Sequence, residues 1–154
     1  MMLKPNRYLK EIGIDENYWL FNKKENEGDS RYEEDEEGLK EAETWGLDTT
    51  LSLIIYTQLR YFKDVGASLG TPSCFLFNKD GSEKDSEQAH KDWLETLDYI
   101  IETFKLMIID DEEVNKYFGV EDRYINYQSF MKKYKKRLEK GLKMFIEYYR
   151  CFWW

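Results

Sequence analysis

The sequence predicts an all-α fold: an antiparallel bundle of three long helices, at about residues 49–65, 87–109 and 123–152, with an irregular acidic segment on its N-terminal side. Two observations carry this. Apolar residues recur every three to four positions through each of those stretches, the spacing that gathers them on one face of a helix. Short irregular segments separate the stretches, and three helices that are each apolar on one side bury their stripes most simply against one another. A chain of 154 residues has the size of one ordinary domain, so a single core over residues 1–154 is expected.

Residues 1–24 hold one short apolar cluster, Tyr18-Trp19-Leu20-Phe21, too brief for periodicity to assign; it should plug the core or pair as a short edge. From 24 to 41 apolar residues nearly vanish and acids accumulate, as in Glu33-Glu34-Asp35-Glu36-Glu37. Mutual repulsion predicts a solvated, mobile loop there. The first long helix should open at Asp48 or Thr49, whose side chains can cap first-turn N–H groups. It should bury Leu51, Ile54, Ile55, Leu59, Phe62 and Val65 and stop at Gly66 in a left-handed conformation. Trp45, just ahead of it, suits a hydrophobic staple.

Gly70, Pro72, Asp80 and Gly81 then surround Cys74-Phe75-Leu76-Phe77, which reads as an irregular connection that tucks aromatic rings inward, with Asp80-Gly81 at a turn tip. The second long helix opens near Ser86 and carries the stripe Ala89, Trp93, Leu97, Ile100, Ile101, Phe104 and Ile108. Asp110-Asp111 should cap a short helix that runs to Phe118, with Gly119 as its stop. The third and longest presents Tyr127, Phe130, Met131, Tyr134, Leu138, Leu142, Phe145, Tyr149 and Phe152.

Charge is segregated along the chain. Residues 25–43 hold ten acids and two bases, a balance equal to the net charge of -8 for the whole protein, whereas residues 123–150 hold nine bases and two acids. An acidic front and a basic back result. A pI near 4.9 argues against nucleic-acid binding. No run approaches the ~18 consecutive apolar residues of a membrane span, and the opening residues lack the apolar core of a secretory signal. A soluble cytoplasmic protein, with no membrane partner and with Cys74 and Cys151 reduced, is expected.

No pattern of catalytic or metal-binding residues emerges. His90 is the single histidine and has no second ligand at metal-site spacing, so packing or surface exposure is its expected role. Asn78-Lys79-Asp80-Gly81-Ser82 opens like a calcium loop, but its glycine falls one position early and Ala89 stands where the closing glutamate belongs. Neither Gly-rich phosphate loop occurs. The runs Glu33–Glu37 and Asp110–Glu113 read as solvated faces. No catalytic residue, metal or cofactor is therefore assigned.

Binding is the remaining class. Lys132, Lys133, Lys136, Arg137, Lys140 and Lys143 lie largely opposite the apolar stripe of the third helix, and a few such cations beside aromatic rings can hold a small phosphorylated ligand. The expected binding residues are Trp45, Arg60, Lys63, Trp93, Lys136 and Arg137. The ending Cys151-Phe152-Trp153-Trp154 places two tryptophans where chains usually fray, which points to cover by a homo-oligomer interface.

Several segments form a recognisable series. They are Glu43-Thr44-Trp45-Gly46-Leu47-Asp48-Thr49-Thr50-Leu51, Leu59-Arg60-Tyr61-Phe62-Lys63, Gly70-Thr71-Pro72, Trp93-Leu94-Glu95-Thr96-Leu97-Asp98, and Gly141-Leu142-Lys143-Met144-Phe145 leading through Tyr149-Arg150 to Trp153. In this order they resemble a family of small helical proteins encoded by tailed bacteriophages and prophages, over about residues 43–154. The chain has Thr57 where that family often has a proline. The resemblance implies a phage origin and brings no catalytic residue with it. By analogy with phage accessory proteins, the expected function is non-enzymatic binding, possible versions being sequestration of a host immune signalling nucleotide, inhibition of a host protein by the acidic segment as a nucleic-acid mimic, or a structural or assembly role in the phage.

Overall fold

Residues 3–67 and 69–152 are described by a computed structural model. Among them are seven α-helices, α1 (Arg7–Lys10), α2 (Glu41–Trp45), α3 (Leu47–Phe62), α4 (Ser73–Leu76), α5 (Ser86–Lys105), α6 (Asp111–Phe118) and α7 (Tyr127–Glu147), and no strand. The one β-type contact among the described residues is an isolated antiparallel bridge between Phe77 and Glu83, which closes the turn where Gly81 takes φ +84°. The all-helical class stands. Three long helices alone are too simple a description, because four short ones and the loops between them complete the core.

α5 is the central element. Asp85 caps it by accepting from the Gln88 N–H at 2.9 Å. Ala89, Trp93, Leu97, Ile100, Ile101 and Phe104 are buried along it, with Ile108 just past its end. α3 packs on one side and α7 on another. Ser52 meets Met107 while Lys63 meets Asp98, so α3 runs opposite to α5. On the other side Tyr134 donates to the Leu106 carbonyl and Arg137 reaches the Tyr99 carbonyl, so α7 also runs opposite. α6 has the expected ends: Asp110 accepts from the Glu113 N–H, and Gly119 closes the helix at φ +64°.

α7 approaches α5 at one glycine. An ideal Cβ on Gly141 would lie 1.8 Å from Thr103 Oγ1 and 2.7 Å from Thr103 Cβ, so only glycine permits this crossing. Thr103 is wholly buried, and its hydroxyl is satisfied twice, donating to the Tyr99 carbonyl at 2.8 Å and accepting from Arg137 Nη1 at 2.7 Å. Arg137 donates in addition to Tyr117 Oη, and its guanidinium stacks 3.6 Å from the Tyr99 ring centroid.

The first long helix differs from expectation at both ends and in its inward face. It starts at Leu47 after Gly46, and no side chain caps it. The Trp19 ring lies against Gly46, within 2.9 Å of an ideal Cβ there, so tertiary packing rather than Asp48 or Thr49 sets the entry. Trp45 is not a staple: it is 67% exposed. Gly66 does not take the left-handed stop; α3 continues into a π-helical turn, Lys63–Ala67, in which Gly66 and Ala67 are buried. Of the expected stripe Leu59 is buried, Ile54, Ile55 and Phe62 are half-buried against the core, and Leu51 and Val65 are exposed. The inward face is Thr50, Ser52, Leu53, Tyr56 and Leu59. Two of these are hydroxyls that bond back to the Glu43 and Asp48 carbonyls, which removes the penalty of burying them.

Other boundaries move for similar reasons. α7 ends at Glu147 rather than near 152, and Tyr149–Cys151 forms a 3-10 turn; only Phe130 and Gly141 of α7 are buried, because it lies on the outside with its stripe half covered. The segment expected to be irregular at Cys74 makes one helical turn, α4, and buries Phe75. Within residues 24–41, expected to be a solvated loop, Asp29 caps a 3-10 turn, Ser30–Tyr32. Tyr32 packs on the core and Arg31 lies over the Trp45 ring, 4.8 Å from its centroid. Glu33 to Glu37 are exposed. Trp153 and Trp154 lie outside the described residues.

Candidate ligand-binding site

A hollow of about 380 Å³ opens where the end of α3, the loop before α4, the start of α5 and the 3-10 turn after α7 converge. Its floor is aromatic because α5 presents Trp93 and α3 presents Phe62, with rings edge to face at 6.3 Å. Phe75 at 5.3 Å and Phe152 at 5.9 Å support the Trp93 ring from behind. Its wall is built mostly of small residues, Gly66, Ala67, Gly70 and Pro72, with Leu69 beside them and Thr71 and Ser73 as its polar side chains. Thr71 Oγ1 lies 2.9 Å from His90 Nδ1, a bond that ties this wall to α5. His90 thus holds the wall in place.

At the rim stands Arg150. It is exposed and forms no ion pair among the described residues. Beside it Cys151 Sγ lies 3.1 Å from Cys74 Sγ, both as free thiols. The sequence separation of the two cysteines gave no sign of this contact. Desolvation of the sulfur, followed by the contact with Cys151, pushes the Cys74 thiol up to about 12. Cys74 is therefore a neutral thiol near pH 7 and a poor nucleophile.

Two other hollows have balanced charge. One of about 330 Å³ between α3 and α5 contains Arg60, Lys63 and Lys105 together with Asp64, Asp98 and Glu102. Arg60 pairs with Glu11 at 2.8 Å and donates to Tyr56 Oη, Lys63 pairs with Asp98, and Lys105 pairs with Glu102 at 3.2 Å. An anion there would have to displace carboxylates already in place. The other, about 970 Å³, is a broad surface near the N-terminus with Lys4, Lys23, Lys24 and Lys40 set against Glu16, Glu27, Glu33 and Glu34.

The six residues expected to bind ligand are not gathered in one place. Trp93 lies beneath the first hollow, only 1% exposed, as a floor rather than an open stacking face. Arg60 and Lys63 share the second, salt-bridged hollow. Trp45 sits on α2 beneath Arg31, Lys136 is exposed on α7, and Arg137 braces α5 against α7. Thr71, Ser73 and Arg150 were missed as lining residues, since their meeting depends on a loop and a chain end that periodicity cannot place. Among the described residues no group of three or more His, Cys, Asp or Glu is arranged to hold a metal ion. No protein-family model, curated protein or solved structure matches the chain.

Proposed function

We propose that this protein is a non-enzymatic phage accessory protein, built on an antiparallel frame of its three long helices, that sequesters a small anionic ligand with an aromatic ring, of the signalling-nucleotide class. The observation that carries this reading is the Arg150 guanidinium, without an ion-pair partner among the described residues, at the rim of a hollow floored by Phe62 and Trp93. A volume of about 380 Å³ lies at the small end of ligand pockets and suits one ring. Arginine presents a forked donor to phosphate oxygens. Thr71, Ser73 and the loop backbone supply further polar groups.

Calorimetric titration of the full chain with linear and cyclic signalling nucleotides tests it, with mass spectrometry of the recovered ligand. One nucleotide should bind and return intact, and Arg150→Ala should weaken it about tenfold or more, the value of one charge-assisted hydrogen bond. Absence of binding across the panel, or unchanged affinity in Arg150→Ala, refutes the proposal. A chemically altered nucleotide would make the protein an enzyme.

A second reading rests on a separate observation: of the ten acids in residues 25–43, only Asp29 forms an ion pair among the described residues. The exposed acids at 33–37 suit a mimic of nucleic acid that blocks a basic host protein. Glu33→Gln, Glu34→Gln, Glu36→Gln and Glu37→Gln together should abolish capture of such a protein and leave nucleotide binding unchanged.

A further inference from the structure

α3 is apolar on two sides, and α5 covers only one of them. On the opposite side Leu47, Leu51, Ile54, Gln58, Tyr61 and Val65 follow one another at alternating intervals of four and three residues, the repeat of a coiled-coil seam. Five of these positions face solvent, and the sixth, Ile54, packs partly against the protein's own core. Leu47 is 51% exposed, Leu51 47%, Tyr61 52% and Val65, in the π-helical turn, 38%; Gln58 is exposed and Ile54 half-buried. None of the six carries a charge. A globular helix normally turns such a stripe inward and leaves polar residues outside, so a second packed surface is implied.

We propose that this seam is the interface of a homodimer, in which α3 packs antiparallel against α3 of a second copy across a twofold axis near residue 56. The seam is its own complement. Reversed about that point, Leu47 meets Val65 of the partner subunit, Leu51 meets Tyr61 of the partner subunit, and Ile54 meets Gln58 of the partner subunit, each contact occurring twice as an isologous interface requires. Gln58 is the single polar residue in the seam, the device that fixes register at a cost in stability.

The area also suits a second copy. The α-helical part of the seam spans 15 residues from Leu47 to Tyr61, roughly 22 Å of helix, with Val65 beyond it in the π-helical turn, and the exposed faces of Leu47, Leu51, Gln58, Tyr61 and Val65 make a patch on the order of 400 Å² per protomer. Trp45 at 67% exposure and Trp19 at 41% adjoin its Leu47 end and extend it towards the roughly 800 Å² per partner of a stable interface.

Sedimentation equilibrium of the full chain should give twice the protomer mass of 18.7 kDa. Leu51→Glu with Tyr61→Glu should give a monomer with unchanged helical circular dichroism, because both side chains are exposed in the protomer. Gln58→Leu should tighten the dimer about tenfold by removing a buried amide, and Lys132→Glu with Lys136→Glu on α7 should leave it intact. Register is tested in a Cys74→Ser, Cys151→Ser background. A mixture of Ile54→Cys and Gln58→Cys chains should cross-link under a mild disulfide oxidant, and neither variant alone should. The proposal is overturned by a wild-type mass of one protomer at high micromolar concentration, by a dimer that survives the two glutamates, or by a cross-link pattern blind to the pairing of 54 with 58.

Discussion

Gly141→Ala probes the α5–α7 crossing at its tightest point. The added methyl would stand 1.8 Å from Thr103 Oγ1 and 2.7 Å from Thr103 Cβ and Cγ2. Thr103 has no exposed surface to retreat towards, and rotating its hydroxyl would break the bonds to the Tyr99 carbonyl and Arg137. The helices must therefore separate. Alanine gains about 1 kcal/mol over glycine in a helix interior. Against this, overpacking costs typically 1–3 kcal/mol, and a weakened bond from a charged donor costs about 1.5–3 kcal/mol. The net expectation is a loss of about 2–4 kcal/mol, or a Tm lowered by roughly 5–15 °C for a domain of this size. Urea denaturation followed by circular dichroism measures it. Adding Thr103→Ala removes the Oγ1 and Cγ2 contacts but leaves Cβ against Cβ, so only part of the loss should return. A Gly141→Ala variant as stable as the parent, or stabilised by its helix propensity, would refute the close crossing.

Trp93→Ala should cost about 3–5 kcal/mol, the usual loss for a large buried aromatic, because Trp93 is 1% exposed and touches Phe62, Phe75 and Phe152. Trp45→Ala should cost about 1 kcal/mol or less, since it removes one exposed stacking contact with Arg31; the order of the two variants in urea checks both. Burial, the largest cause in each case, raises the Tyr18, Tyr56 and Tyr134 phenols above their ordinary value of 10.0. The unfolded chain then releases those protons first, so their contribution is present below about pH 10 and is lost as pH rises beyond it. Thermal melts should be insensitive to these groups from neutral pH to about pH 9 and fall above pH 10, with Tyr134→Phe reducing the slope; a flat profile through that range would contradict the burial of the phenols.

Legibility varied with how many faces of an element were apolar. α5 was readable residue by residue because its charged side leaves one possible inward face, and every member of its expected stripe is buried. α6 was readable because a cap and a left-handed glycine act within one turn of chain. α3 was misread because leucines and isoleucines surround most of it. Spacing alone chose Leu51 and Val65, which are exposed, and Ile54 and Ile55, which are only half-buried, while packing against α5 and α1 chose Ser52, Leu53 and Tyr56. The candidate site was legible only in part: Trp93 was anticipated, but Arg150 reaches it through a chain end and Thr71 through a loop fastened to His90.

By itself the sequence determined that this protein is helical, where α5 and α6 lie, and how its charge divides between front and back, because these follow from periodicity, capping and composition within a few turns of chain. Only the tertiary structure decided which face of α3 turns inward, that Gly141 must be bare for Thr103, and that Cys74 meets Cys151. It also separated Arg60 and Lys63 from Trp93. Those outcomes join residues distant along the chain, and the close packing that selects among several acceptable local arrangements is a property of the assembled core.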